Sequence, residues 1–287
     1  RPTPRLSVAE LEQAVHAVDP EGRRRVVAVQ AGDRRIWVKR PERLTLRLRL
    51  QKGSSDKSFA REAVALHELS GRGLPVAELV AATPGLLAVA DCGEPLRTIL
   101  RDPARPADER ARAARAGGAA LAALHGAGVA HGRPDLRDIC WDGSRATLID
   151  FERYTPGPAS VALMRTDLVI MVFAAVVALG PDAPELAALC AGYRRAAPPE
   201  PWQAAARLAR GLARVAPLLR LLAPLDGKRG EIAAVAPTLR VLIDPPADGA
   251  TDGSADGTAD RLADPPPDAS GNPRSGCAGA PAAITKP

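Results

Sequence analysis

Two aspartates stand twelve positions apart near the middle of this chain. One closes the polar stretch His131-Gly132-Arg133-Pro134-Asp135-Leu136-Arg137-Asp138, which leads into Ile139-Cys140-Trp141. The other ends an apolar, β-rich run, Ala146-Thr147-Leu148-Ile149-Asp150, with Phe151-Glu152 behind it. The Asp142-Gly143 pair between them is a turn signal. Such a loop, turn and strand fold back on themselves, so Asp138 and Asp150 are candidates to meet at one hard divalent cation through oxygen ligands. Whether the loop also holds a catalytic base decides what such a pair is for.

The elements that must position this pair follow from the apolar pattern. Ser7-Val8-Ala9-Glu10 is a capping box and predicts a helix to about Val18, with Leu11, Ala14, Val15 and Val18 on its apolar face. Residues 26–30 and Arg34–Lys39, joined by Ala31-Gly32-Asp33, read as an antiparallel hairpin whose second strand ends in Lys39. Leu44, Leu46, Leu48 and Leu50 alternate with Thr45, Arg47 and Arg49, the period of a half-buried strand with a positive outer face. Helical spacing returns at residues 59–69, with Phe59, Ala63, Leu66 and Leu69 on one face and Glu62 beside it. Gly71 and Gly73 stop that helix.

Leu86–Ala90 is a short apolar strand, and Asp91-Cys92-Gly93-Glu94-Pro95 is a linker. Upstream the chain is mostly strand. Downstream it is helical, over residues 107–127, over the apolar run 168–179 that Asp167 precedes, and over 184–196, 201–222 and 230–242. The expected division is therefore 1–91 as a β-rich lobe with one long helix and 92–243 as a helical lobe carrying the loop. From Asp244 onward Asp recurs every fourth residue to Asp268 among Ala, Gly, Pro, Ser and Thr, so 244–287 is expected to be a disordered, low-complexity tail.

Composition bounds the function classes. Of 287 residues 46% are hydrophobic and 25% charged, the balance of a soluble globular chain, and only 3% are aromatic, which favours helical packing over an all-β sandwich. Four scattered cysteines form no C-x-x-C pair, so neither a zinc site nor a disulfide framework is expected, and a reducing cytoplasm fits. No signal peptide is expected at the basic start, and the apolar run 168–179 is shorter than the roughly 20 residues of a membrane span, so a buried helix is expected there. The net charge of +6 is uneven: residues 22–52 hold eleven basic and two acidic residues. That stretch suits a phosphate-bearing ligand or an anionic membrane surface. Without aromatic interleaving or a recognition motif, no nucleic-acid partner is expected.

A lysine ending a strand, a helical glutamate, a linker, an H-x(6)-D loop and an apolar strand ending in Asp-Phe occur here in the order of the protein-kinase fold, which the chain resembles over about residues 26–179. Within that superfamily it looks most like the bacterial lipopolysaccharide kinases, the atypical Kdo and heptose sugar kinases. The resemblance implies an α+β, two-lobed fold with a small β-rich N-lobe and a larger helical C-lobe. It implies ATP and Mg2+ as cofactors, with Lys39 on the α and β phosphates, Glu62 paired to Lys39, and Asp138 and Asp150 as metal ligands. Residues 86–91 would face adenine. His131 would be a structural residue of the loop, and Asp167 would tie that loop to the following helix.

Three features depart from the kinase pattern. Arg133 stands where the catalytic base is expected, and Asp135 stands two residues on, where kinases commonly carry a phosphate-binding lysine. The exchange makes Asp135 a candidate proton acceptor and Arg133 a candidate partner of the transferring phosphoryl group, both projecting to one side of an extended loop. No Gly-rich loop precedes the first strand; Gly22 and Arg23-Arg24-Arg25 stand there, and arginines can substitute charge for backbone amides as point or fork donors to phosphate. Residues 153–166 are too few for a long activation loop, and no Ala-Pro-Glu lies within them, which favours a small-molecule or glycolipid acceptor over a polypeptide. The expected activity is phosphotransfer from ATP to a hydroxyl, at the cytoplasm or the inner membrane face. The alternatives are a nucleotide-binding pseudokinase or scaffold and, ranked lower, a relative of the aminoglycoside or choline phosphotransferases.

Overall fold

The computed structural model describes residues 7–41, 55–214 and 229–247. Contacts gather the chain into a unit Arg1–Thr251, which holds all of these, and a unit Asp252–Pro287. The strand expected over 44–50 and the tail beyond residue 247 lie outside the described residues.

The first helix, α1 (Val8–Val18), begins as its capping box dictates. The Ser7 amide donates to Glu10 Oε2 at 2.7 Å, and the Glu10 amide donates back to Ser7 Oγ at 3.3 Å. Its buried residues, Leu11 and Val15, pack on the hairpin β1 (Val26–Ala31) and β2 (Arg34–Lys39) with Val27, Val29, Ile36 and Val38. The alternation of those three valines and one isoleucine is what fixes the register, because a slip of one residue would turn them all to solvent. With β3 (Leu79–Thr83) and β4 (Leu86–Ala90) the hairpin completes a four-stranded antiparallel sheet, order β1-β2-β4-β3.

Between the hairpin and β3 runs α2 (Ser55–Gly71). Its buried stripe is Phe59, Glu62, Ala65, Leu66 and Leu69, so Glu62 stands on the core face itself and not beside it. After β4 the linker contains a two-residue strand, β5 (Glu94–Pro95), and a short helix follows it, α3 (Leu96–Arg101). β5 pairs with β6 (Ile139–Trp141), and β6 with β7 (Ala146–Leu148), a second antiparallel sheet that carries the central loop at its edge. β7 is shorter than its apolar run. Ile149 makes one last bond to the Asp138 carbonyl, and Asp150 then leaves the strand with φ +67°.

The remainder is helical: α4 (Ala107–Gly126), α5 (Val161–Leu179), α6 (Pro184–Ala196), α7 (Pro199–Ala213) and α8 (Arg229–Ile243). α4 and α6 approach so closely that a Cβ on Gly118 would collide with the Leu189 carbonyl, and one on Gly192 with the Arg115 carbonyl. α5 starts earlier than its apolar run, because Ser160 caps it, so Asp167 lies in its second turn and not before it. Nineteen residues long and apolar, α5 is, among the described residues, the one helix that could cross a membrane by length and composition. Its Met164, Leu168, Met171, Val172 and Val176 are nevertheless buried against α3, α6, α7 and α8. The fold is thus α+β, a small antiparallel sheet region followed by a mostly helical remainder.

Candidate functional site

Lys39 is the centre of an ion cluster drawn from three separate elements. From the end of β2 its ammonium donates to Glu62 Oε2 of α2 at 2.5 Å and to Asp150 Oδ1 at 2.8 Å, and it lies 3.0 Å from Glu152 Oε1. Arg25, at the entry to β1, reaches the same Glu152 oxygen at 2.6 Å. The strand-ending lysine, the helical glutamate and the Asp-Phe-Glu aspartate, read separately from the sequence, are brought together.

Burial works against the Lys39 charge, but the carboxylates of Glu62 and Asp150 outweigh it and raise the lysine pKa, so it stays an ammonium. Burial likewise pushes Glu62 up to about 7, against the pull of Lys39. For Glu152 the balance is reversed: Lys39 and Arg25 overcome the cost of burial and hold it below the ordinary carboxylate range. One carboxylate oxygen from each of Glu62, Asp150 and Glu152 lies within 4.8 Å of the others, an all-oxygen group that the Lys39 ammonium contacts and that does not include Asp138.

The backbone explains how Asp150 gets there. It is the one non-glycine with positive φ among the described residues, and Asp tolerates that left-handed conformation better than most side chains. His131 supports it from below. Burial lowers the imidazole pKa, so the ring is neutral. Nε2 lies 2.8 Å from the Ile149 carbonyl and Nδ1 3.3 Å from the Arg133 amide, which assigns the ring proton to Nε2. The ring also packs on Phe151, with centroids 4.5 Å apart. Asp167 in turn accepts from the backbone amides of His131, at 2.6 Å, and Gly132, at 2.8 Å. Helix α5, loop and Asp150 are thereby one connected assembly.

Asp138 borders the same cleft. Burial, reinforced by the charge of Asp150, pushes it up to about 7. The cleft, about 420 Å³, is lined by the charged Arg25, Lys39, Glu62, Asp138 and Asp150 and by the less polar Val26, Trp37, Leu87, Val89, Cys92, Cys140 and Ile149. Trp37 is held there by its indole N–H, which donates to Asp91 Oδ1 at 3.0 Å. A second cavity of about 270 Å³ shares Asp138 and Asp150 and is lined by Arg133, Arg137, Glu152 and Arg153. One ligand with a flat apolar part and an anionic part fits the first, and a second anionic group fits the next, with the two aspartates where they meet.

Asp135 is placed differently from Arg133. The segment is not extended: the Asp135 amide donates to the Arg133 carbonyl across Pro134, so the two side chains do not share a side. Asp135 accepts from the Arg137 amide at 3.0 Å and from its guanidinium at 3.3 Å, and these, against the cost of burial, lower its pKa. It does not line the second cavity, whereas Arg133 does. Sequence reasoning assigned no role to Glu152, Trp37 or Arg153. Glu152 carried a signal, being two residues after a candidate ligand. Trp37 carried one too, being two before Lys39 on the same strand face.

No protein-family model matches the chain. An uncharacterized protein of Haemophilus influenzae is 30% identical over 130 residues, 45% of this chain and 53% of that protein. The chain thus spans about half the length of the curated relative it matches. Among solved structures, the bifunctional kinase-methyltransferase WbdD is similar with a TM-score of 0.38 and 15% identity, over 60% of this chain and 42% of that one. A likeness that loose carries no weight for fold or activity, which rest on the chain's own residues.

Proposed function

We propose that the chain is an ATP-dependent phosphotransferase that acts on a hydroxyl of a small molecule or lipid-linked sugar, in the manner of the lipopolysaccharide kinases it resembles. The observation that carries this reading is Lys39, clamped between Glu62 and Asp150 in a cleft lined by both apolar and charged side chains. In this reading Trp37, Leu87, Val89 and Ile149 hold the adenine and Lys39 orients the α and β phosphates. Asp138 and Asp150 hold Mg2+, which when bound supplies charge neutralisation at the phosphates. The acceptor lies in the arginine-lined cavity, and Arg133 steadies the transferring group. Asp135 has to release Arg137 to take the hydroxyl proton. The basic residues 22–52 would bring the protein to an anionic membrane surface on the cytoplasmic side, where a glycolipid acceptor is presented.

The test is transfer of label from ATP carrying a labelled γ-phosphate, with magnesium and a bacterial glycolipid extract. Label in the lipid fraction with wild type and none with Asp150→Asn supports the reading. Nucleotide binding without label in lipid or in released phosphate would favour a pseudokinase. That second reading is supported by the engagement of Asp135 with Arg137.

A further inference from the structure

The segment that enters β1 occupies the position of a phosphate loop, yet its backbone amides already have an anion. Asp19, buried at the end of α1, accepts from the amides of Arg23 at 3.2 Å and Arg24 at 3.1 Å and from the Arg40 guanidinium at 2.9 Å. The Gly22 amide is bonded to the Asp19 carbonyl at 3.1 Å. An internal carboxylate thus takes the place in which a bound phosphate would collect backbone N–H groups. With the amides of Gly22, Arg23 and Arg24 taken, a contact from these residues to a phosphate has to come from a side chain.

Arg25 is the side chain of that segment which reaches the cleft. Its backbone is fixed, because its carbonyl accepts from the Arg40 amide at 2.8 Å and so extends the β1–β2 ladder. Arg25 lines the nucleotide-sized cleft together with Lys39, and its guanidinium shares Glu152 Oε1 with the Lys39 ammonium. It is 42% exposed and its partner Glu152 33% exposed, so the pair costs little to open. A phosphate group offers the fork of a guanidinium a bidentate, doubly charged partner that a single carboxylate oxygen does not.

We propose that Arg25 is a nucleotide-binding residue that replaces the missing phosphate loop, resting on Glu152 and exchanging it for the phosphates of the bound nucleotide. The inference rests on the nucleotide reading above and goes beyond it in naming the residue and its resting partner. Glu152 is then a competitor that holds both cations, Lys39 and Arg25, until phosphate arrives.

Binding of ATP, ADP and adenosine to the full chain tests it, with wild type, Arg25→Ala, Arg25→Lys and Glu152→Gln compared by calorimetry. Arg25→Ala is expected to weaken ATP and ADP about tenfold and leave adenosine unchanged, with partial recovery in Arg25→Lys. In EDTA, Glu152→Gln is expected to tighten ATP. Equal ATP affinity in Arg25→Ala and wild type, or an equal loss for adenosine, would overturn the assignment of Arg25. No tightening in Glu152→Gln would overturn the exchange. Failure of wild type to bind ATP would overturn the nucleotide reading and the proposal with it, and is distinct from wild-type binding that Arg25→Ala leaves intact.

Discussion

Lys39 is the counter-ion of three carboxylates, and its removal should cost more than a contact. Lys39→Met leaves Glu62 buried without its partner, and about 3 kcal/mol should disappear from urea unfolding. Lys39→Met combined with Glu62→Leu should recover much of that loss, because no orphan charge remains. Asp138 gives the pH dependence. Its folded pKa is pushed from 3.8 up to about 7, so the folded chain holds a proton there that the unfolded chain has lost. Stability from this group therefore falls as pH rises from about 4 to about 7, and Asp138→Asn should flatten that slope in melts taken across the range. Magnesium competes with the same proton, so magnesium-dependent ATP binding should strengthen as pH passes about 7. The sequence displayed Lys39, Glu62, Asp138 and Asp150 as separate signals because each ends or faces a regular element. It displayed Arg25 only as one of three arginines able to stand in for a Gly-rich loop, and it did not display the pairing with Glu152, which exists only once the fold sets one beside the other.

Among the elements, α5 matters to the site through a single side chain. Asp167 receives two loop amides and stands at 3.4 Å from the buried His125, so Asp167→Ala leaves buried donors without an acceptor at about 1–3 kcal/mol each. The expected outcome is a lower melting temperature together with loss of Asp150-dependent ATP binding, with Asp167→Asn milder on both. The contact between α4 and α6 makes an independent test of the helical part. Gly192→Ala places a methyl against the Arg115 carbonyl, and about 1–3 kcal/mol of overpacking should appear in unfolding while ATP affinity holds. Capping and periodicity made α1, the hairpin, α4 and α6 legible. Ser160 was a legible cap as well, but the apolar run began later and drew the helix start with it. The early end of β7 was not legible: the apolar residues run on through Ile149, and only the left-handed turn at Asp150 stops the strand. That same turn aims the carboxylate at Lys39.

For the whole molecule, the cleft joins the two sheets. Arg25, Lys39 and Leu87 come from the four-stranded sheet and its entry, while Pro95, Asp138 and Cys140 come from the three-stranded sheet and its loop. A ligand that bridges them binds the folded chain alone, and at a hundred times its Kd it should add about 2.7 kcal/mol of stability, visible as a rise of a few degrees in Tm. Residues 1–251 form a unit by their own contacts, so a chain ending at Thr251 should keep both the Tm and the response to nucleotide. The central claim is that Lys39, Asp138 and Asp150 hold a magnesium nucleotide. It is tested most directly by calorimetric titration of ATP with magnesium into wild type and Asp150→Asn. One equivalent bound by wild type, weakened at least about tenfold in the variant, is the predicted result. Absence of binding to wild type, or equal affinity in Asp150→Asn, would contradict it.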